Sequence, residues 1–210
     1  SSCTVYGIPE VIPVSEKCEV KVTETPYGDT KKMGEEIIKR SGVTSIILRY
    51  FNPIGAHPSG KMGEIPNGIP NNLLPYLTQT VKGVREKLSV YGNNYDTEDG
   101  TAIRDYIHVV DLANAHVVAL ERLLEGKSSN CYEIFNIGTG KGNSVLDIIK
   151  TFERVTGKKV NWEFTDRREG DIPEIYSDTT KSKEILNWYP KYTLEDSLKH
   201  AWDWEKRLVN

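Results

Sequence analysis

Little in this sequence points to a metal, a membrane or a nucleic acid. Its three cysteines (Cys3, Cys18, Cys131) are odd in number and far apart. That argues against a disulfide framework or zinc site and for free thiols in a reducing compartment. The four histidines are scattered, none at a metal-ligand spacing. No apolar run approaches a membrane span, and no charged-then-apolar leader marks a secretory signal. A net charge of -3, without any block of like charges, lacks the electrostatic footprint of a nucleic-acid binder. Repeats and low-complexity segments are absent. What remains is an ordinary globular composition, 38% hydrophobic and 27% charged, expected to be soluble and cytoplasmic. The 210 residues suffice for one large domain, or for part of a two-lobed enzyme.

Taken in order, Ser1–Gly7 reads as the carboxyl end of a buried strand stopped by glycine. Such a strand needs neighbours, so the start is expected to cut through a sheet. A Pro-, Glu- and Lys-rich loop leads to Pro26, which opens a helix from about Tyr27 to Ser41. Ile37 and Ile38 are expected on its inner face and Gly42 at its C-cap. The apolar run of residues 44–51 then reads as a parallel strand covered on both faces. Strand, loop, helix, strand is the unit of a doubly wound sheet, in which ligands bind beyond the carboxyl ends of the strands. After a long Gly/Pro/Asn loop, helices are predicted over 71–82, 111–125, 144–156, 179–186 and 193–208. Strands are predicted over 88–91, 103–108, 132–137 and 160–165, and Asp111 is expected to N-cap its helix. Gly138–Ser144 follows a strand and opens a helix, as phosphate loops do. It departs from both the P-loop and the dinucleotide pattern, since Gly142 follows Lys141 and Asn143 stands where a third glycine belongs. The sequence favours a tight turn there, with Ser144 and Asp147 forming a capping box.

Tyr27 and Lys31 stand four apart and share a helix face, the one such pair among eleven tyrosines. An unperturbed Tyr titrates near pH ~10, and bringing it to ~7 takes roughly 4 kcal/mol of preference for the phenolate. One positive charge at ~4 Å supplies about that much at an effective dielectric near ~20. A cationic cofactor would supply the rest. Such a phenolate can take the proton of a substrate hydroxyl while hydride leaves the same carbon.

Together, Ser1–Gly7, Tyr27 with Lys31, Arg49–His57, Ile69–Tyr76, Asp96–Leu112 and Arg167–Asp171 resemble the UDP-galactose 4-epimerase family, from end to end of the chain. These are extended short-chain dehydrogenase/reductases that use bound NAD. The resemblance implies interconversion of UDP-galactose and UDP-glucose through a 4-keto sugar that turns on its diphosphate tether. It implies Tyr27 as base, with Lys31 as its partner reaching the nicotinamide ribose, and Ser2 bonding the sugar hydroxyl. Tyr50 would lie beside the nicotinamide. Asn52, Asn72 and Leu73 would contact the UDP-sugar, and Tyr91 would lie against the uracil. Arg104 and Arg168 would hold the diphosphate, for which a guanidinium fork is suited. Asp171 would take a ribose hydroxyl. Ile175 falls at a position facing the hexose, and its intermediate size implies a preference for sugars without an N-acetyl group. A homodimer is implied for a full-length protein.

The expected fold is α/β: part of a doubly wound, parallel Rossmann-type sheet lacking its N-terminal strands, plus a smaller mixed α/β substrate lobe. Residues 1–55 belong to the NAD-binding part and 56–210 to the UDP-sugar lobe, with 104–156 partly returning to the sheet. No Gly-rich dinucleotide fingerprint follows a first strand, so the sequence reads as a fragment or a truncated product. Two rivals stand beside the epimerase reading. A sugar-nucleotide 4,6-dehydratase shares the Tyr–Lys pair, but needs an acid near the serine, where Cys3 and Thr4 stand. A UDP-sugar-binding module without its cofactor half would bind the nucleotide sugar and lose the chemistry.

Overall fold

The computed structural model describes residues 1–21, 25–128 and 130–208. β1 (Ser45–Tyr50) and β6 (Tyr132–Ile137) pair in parallel over their whole length. Leu48, Phe135 and Ile137 between them are buried, and for β1 that double cover is what its apolar run predicted. β2 (Asn52–Ile54) pairs in parallel with β5 (Tyr106–His108), and β3 (Leu88–Tyr91) with β8 (Trp162–Thr165). β4 (Ile103–Arg104) lies between antiparallel β7 (Asn143–Ser144) and parallel β9 (Glu174–Ile175). Among the described residues six α-helices connect and cover these strands: α1 (Pro26–Ser41), α2 (Leu73–Lys82), α3 (Val109–Leu124), α4 (Val145–Thr156), α5 (Thr180–Leu186) and α6 (Leu194–Glu205). Parallel strands require such crossovers, and the result is the α/β architecture expected from the sequence.

Apolar side chains gather in three clusters. Leu77, Ile148, Phe152, Leu198 and Trp202 form one, beneath α2, α4 and α6. There the Phe152 and Trp202 rings meet edge to face, 5.9 Å apart at 79°. Burying each such side chain stabilises by roughly 1.5–3 kcal/mol. Leu48, Ile107, Leu112, Phe135 and Trp188 form a second between β1, β6 and α3. Val5, Tyr6, Val14, Phe51 and Ile175 form a third behind the first residues.

Most element ends fall where local chemistry puts them. Thr25 accepts from the Gly28 N–H at the start of α1, and Gly42 ends it in the left-handed region at φ 69°. Ser144 and Asp147 make the expected capping box on α4, each bond 3.0 Å. Four expectations need correction. Ser1–Gly7 is not a strand end: Cys3–Tyr6 is a 3-10 turn, and Ser2 alone bridges to Tyr50. One bridge does not sustain an extended segment, and the Ser2 hydroxyl instead accepts from the Thr4 N–H. Ile37 and Ile38 do not face inward but are exposed. α1 is tied down by Glu35, which receives a two-pronged ion pair from buried Arg49 at 2.9 and 2.6 Å. His108, not Asp111, caps α3, its Nδ1 accepting from Val110 N–H at 3.0 Å. Asp111 lies buried in the first turn and accepts from the Lys191 and Tyr192 N–H groups.

The fourth correction concerns residues 103–108, predicted as one strand. They are two, β4 and β5, with separate partners, and the break is Asp105. Its fully buried carboxylate accepts from the N–H and hydroxyl of Thr139, the Gly140 N–H, and the N–H and hydroxyl of Ser177, at 2.5–3.1 Å. Gly138 lets the chain come this close: a Cβ there would sit 2.4 Å from both the Asp105 carboxylate and the Ser177 hydroxyl. The glycine loop does hold an anion, and the anion is the protein's own.

Candidate active site

A cavity of about 410 Å³, ordinary for a small-molecule site, lies among β3, β4, the start of α2 and the segment after β8. Asn52, Asn72, Leu73 and Tyr91 line it, and so do Arg104, Arg168 and Asp171. Residues as far apart in sequence as Asn52 and Asp171 are thus gathered on one wall system. Asn72 sits at the N-cap of α2 and makes no side-chain capping bond. Arg104 pairs with the Asp171 carboxylate and also donates to the Ile103 carbonyl at 2.8 Å. The Arg168 guanidinium lies 4.0 Å from the centre of the Tyr91 ring, stacked as a cation on an aromatic face. Arg167 does the same over Tyr95 at 4.1 Å, and the Tyr95 hydroxyl donates to Asp171 at 3.4 Å.

Ile175 stands apart. As the register partner of Arg104 it is near the cavity in sequence of contacts, but its side chain is buried in the third cluster beside Cys3, Val5 and Phe51. It does not line this cavity.

At the carboxyl end of β1 the second group assembles. Lys31 Nζ lies 5.2 Å from the Tyr27 ring centre, one turn along α1, so the two side chains share a face as predicted. Tyr27 is 55% exposed. Ser2 bridges to Tyr50, and Tyr50 in turn feels the charge of Tyr27. Burial first, and that charge second, hold the Tyr50 hydroxyl above its ordinary value. Its proton goes to His116 Nε2 at 2.5 Å, because His116 Nδ1 must donate to the Leu112 carbonyl at 2.8 Å. Tyr50 is therefore a fixed neutral donor to His116. Cys3 beside them is pushed by burial to about 12 and stays a thiol.

Sequence reasoning missed Ser89, Tyr76 and Tyr106, which also line the cavity. Ser89 was within reach, since Tyr91 two residues on occupies the same strand face. Tyr76 lies one turn after Asn72 and Leu73 on α2 and carries the same kind of signal. Tyr106 gave none. Among the described residues no cluster of His, Cys, Asp and Glu could hold a metal ion, and no helix is long and apolar enough to cross a membrane.

Comparison with known proteins adds context. The family model described as "NAD dependent epimerase/dehydratase family" matches residues 1–138. The UDP-glucose 4-epimerase of Bacillus subtilis is 50% identical over 215 residues, covering 100% of this chain and 62% of that protein. Among solved structures, UDP-glucose 4-epimerase from Bifidobacterium longum in complex with NAD+ and UDP superposes with a TM-score of 0.94 at 40% identity. That match covers 99% of this chain and 62% of the other. The UDP-Glc/GlcNAc 4-epimerase of Campylobacter jejuni matches at TM-score 0.76 and 36% identity, over 99% of this chain and 63% of that one. The chain thus spans about 62% of the length of the curated relatives it matches.

Proposed function

The chain belongs to the NAD dependent epimerase/dehydratase family, and we propose that it carries the sugar-nucleotide side of a UDP-glucose 4-epimerase, interconverting UDP-glucose and UDP-galactose. One observation carries this reading: the groups suited to a base, a ribose and a diphosphate line a single cavity. Tyr91 offers an aromatic wall for uracil. Asp171 accepts from a ribose hydroxyl, and Arg104 and Arg168 take the diphosphate. Asn52, Asn72 and Leu73 guide the sugar out of the cavity toward Ser2 and Tyr27. Ser2 then bonds the C4 hydroxyl, and Tyr27 removes its proton with Lys31 stabilising the phenolate.

NAD, when bound, would supply reversible hydride exchange with C4, balancing the proton that Tyr27 takes from the hydroxyl and later returns. The donor set at the end of β1 fits its nicotinamide end: Lys31 for a ribose hydroxyl, Tyr50 as a neutral wall held by His116. For its pyrophosphate no glycine loop is left among the described residues, because 138–140 is occupied by Asp105. Further strands would add along the edge of β1 that Ser2 alone now bridges. Pairing of two copies belongs to the same reading, with the exposed Met33 and Ile37 of α1 as its apolar face.

The dehydratase reading is disfavoured, since the buried Cys3 thiol beside Ser2 is no acid at neutral pH. Preference for sugars without an N-acetyl group stays part of the proposal and rests on the intermediate size of Ile175, which packs in one cluster with Cys3 next to Ser2. Calorimetric titration of the full chain with UDP tests the cavity. One-to-one binding abolished by Arg104→Ala supports the assignment, and indifference to UDP sinks it.

A further inference from the structure

The prospective ligand groups of the cavity are bound to each other. Arg104, suited to a phosphate, is paired with Asp171, suited to a ribose. Arg168, also suited to a phosphate, covers the ring of Tyr91, the seat for a base. Both acidic and basic partners are largely shielded, Arg104 keeping 13% and Asp171 27% of side-chain exposure. Separating them without replacing both contacts leaves a poorly hydrated charge alone. The bond that the Tyr95 hydroxyl donates to Asp171 is long, at 3.4 Å, and weaker than the ion pair it would have to replace.

We propose that this self-pairing makes Asp171 a specificity-determining residue: Arg104 is released to a diphosphate only when the same ligand brings a ribose hydroxyl to Asp171. A bare anion meets an arginine already neutralised, and taking it strands the carboxylate beside the incoming negative charge. A nucleoside diphosphate exchanges both halves of the pair at once. The same logic holds at Arg168, where a base must cover the Tyr91 face that the guanidinium uncovers. The cavity thereby reads a nucleotide as a unit and excludes inorganic phosphates that share its charge. The inference rests on the assignment of the cavity to a UDP-sugar.

Its test compares UDP, uridine and inorganic pyrophosphate by calorimetry on the full chain and on Asp171→Asn, with Asp171→Ala as a second variant. Thermal melts establish that each variant is folded. The expected result is a crossing of preferences. UDP binds the unaltered chain and weakens by roughly 10-fold in Asp171→Asn, while pyrophosphate tightens by roughly 10-fold. If UDP binds the unaltered chain but pyrophosphate is unchanged or weaker in both variants, Asp171 is a ribose contact alone and the gating idea is overturned. If UDP does not bind the unaltered chain, the cavity assignment itself fails and the inference falls with it.

Discussion

Arg104 and Asp171 keep 13% and 27% of their side-chain exposure, whereas Tyr27, on the other side of the site, is 55% exposed. The first pair is dried by this chain alone. The second sits on an open helix face with Lys31 beside it. At ~4 Å a unit charge pair is worth about 4 kcal/mol near an effective dielectric of ~20 but only about 1 kcal/mol in bulk water. On the proposed function, recognition of the nucleotide lies with the first pair and proton transfer with the second.

The comparison can be broken most sharply at Tyr27. Replacing it with Phe in an active, cofactor-loaded protein should cut turnover by roughly 10²–10⁴-fold, the usual worth of a general base. UDP affinity should hold, since Tyr27 does not line the cavity. Retained turnover would move the base elsewhere; lost UDP binding would merge the two regions.

On the cavity side, Asp105→Ala leaves the donors of Thr139, Gly140 and Ser177 without their acceptor. Breaking a buried charged network of this kind costs roughly 3–5 kcal/mol, readable as a lowered denaturant midpoint. UDP binding should weaken too, because Arg104 is its neighbour in the chain.

A pH titration of stability probes the seam between the regions. His108 ends β5 and caps α3, with Tyr192 stacked at 4.2 Å, His200 at 3.0 Å, and Asp196 and His57 facing it. Burial first, then His200, lowers it to about 4. Between that value and its ordinary 6.5 the unfolded chain takes up a proton that the folded one refuses. Stability should thus be level above that range and fall by roughly 3 kcal/mol as pH drops through it. His108→Gln, which keeps an N-cap acceptor, should flatten the slope. The smallest effect is expected at Ser144→Ala, about 1 kcal/mol for a lost cap on α4, visible in melting but not in UDP affinity.

What was legible in the sequence follows the range of the forces involved. The Tyr27–Lys31 face, the Ser144 capping box and the Gly42 stop are set by neighbours within a turn or two, and the structure has them where local chemistry put them. The burial of β1 was readable from its apolar run, whereas β6 carries Glu133 and Asn136 and was readable only as a strand. The split at Asp105 was not readable, since its donors come from residues 34 and 72 positions away. Likewise Asp111 looked like a cap because nothing local told of Lys191 and Tyr192, whose amides it receives. Ile37 looked inward because its helix was amphipathic in outline, while the anchoring of α1 falls to an ion pair from Arg49. In the cavity, Arg104 and Asp171 were placed by family resemblance, and their mutual pairing has no one-dimensional trace.

The knot tied by Asp105 has a mechanical consequence. One carboxylate stitches together three stretches of backbone, and the next residue on one of them is the arginine that reaches into the cavity. The other two lead to the start of α4 and to the strand that ends at Ile175. Arg104 therefore takes its aim from a fixed point outside the ligand's reach. Substitutions at Thr139 or Ser177, touching nothing that binds, should mis-aim the grip on the diphosphate before they unfold the chain.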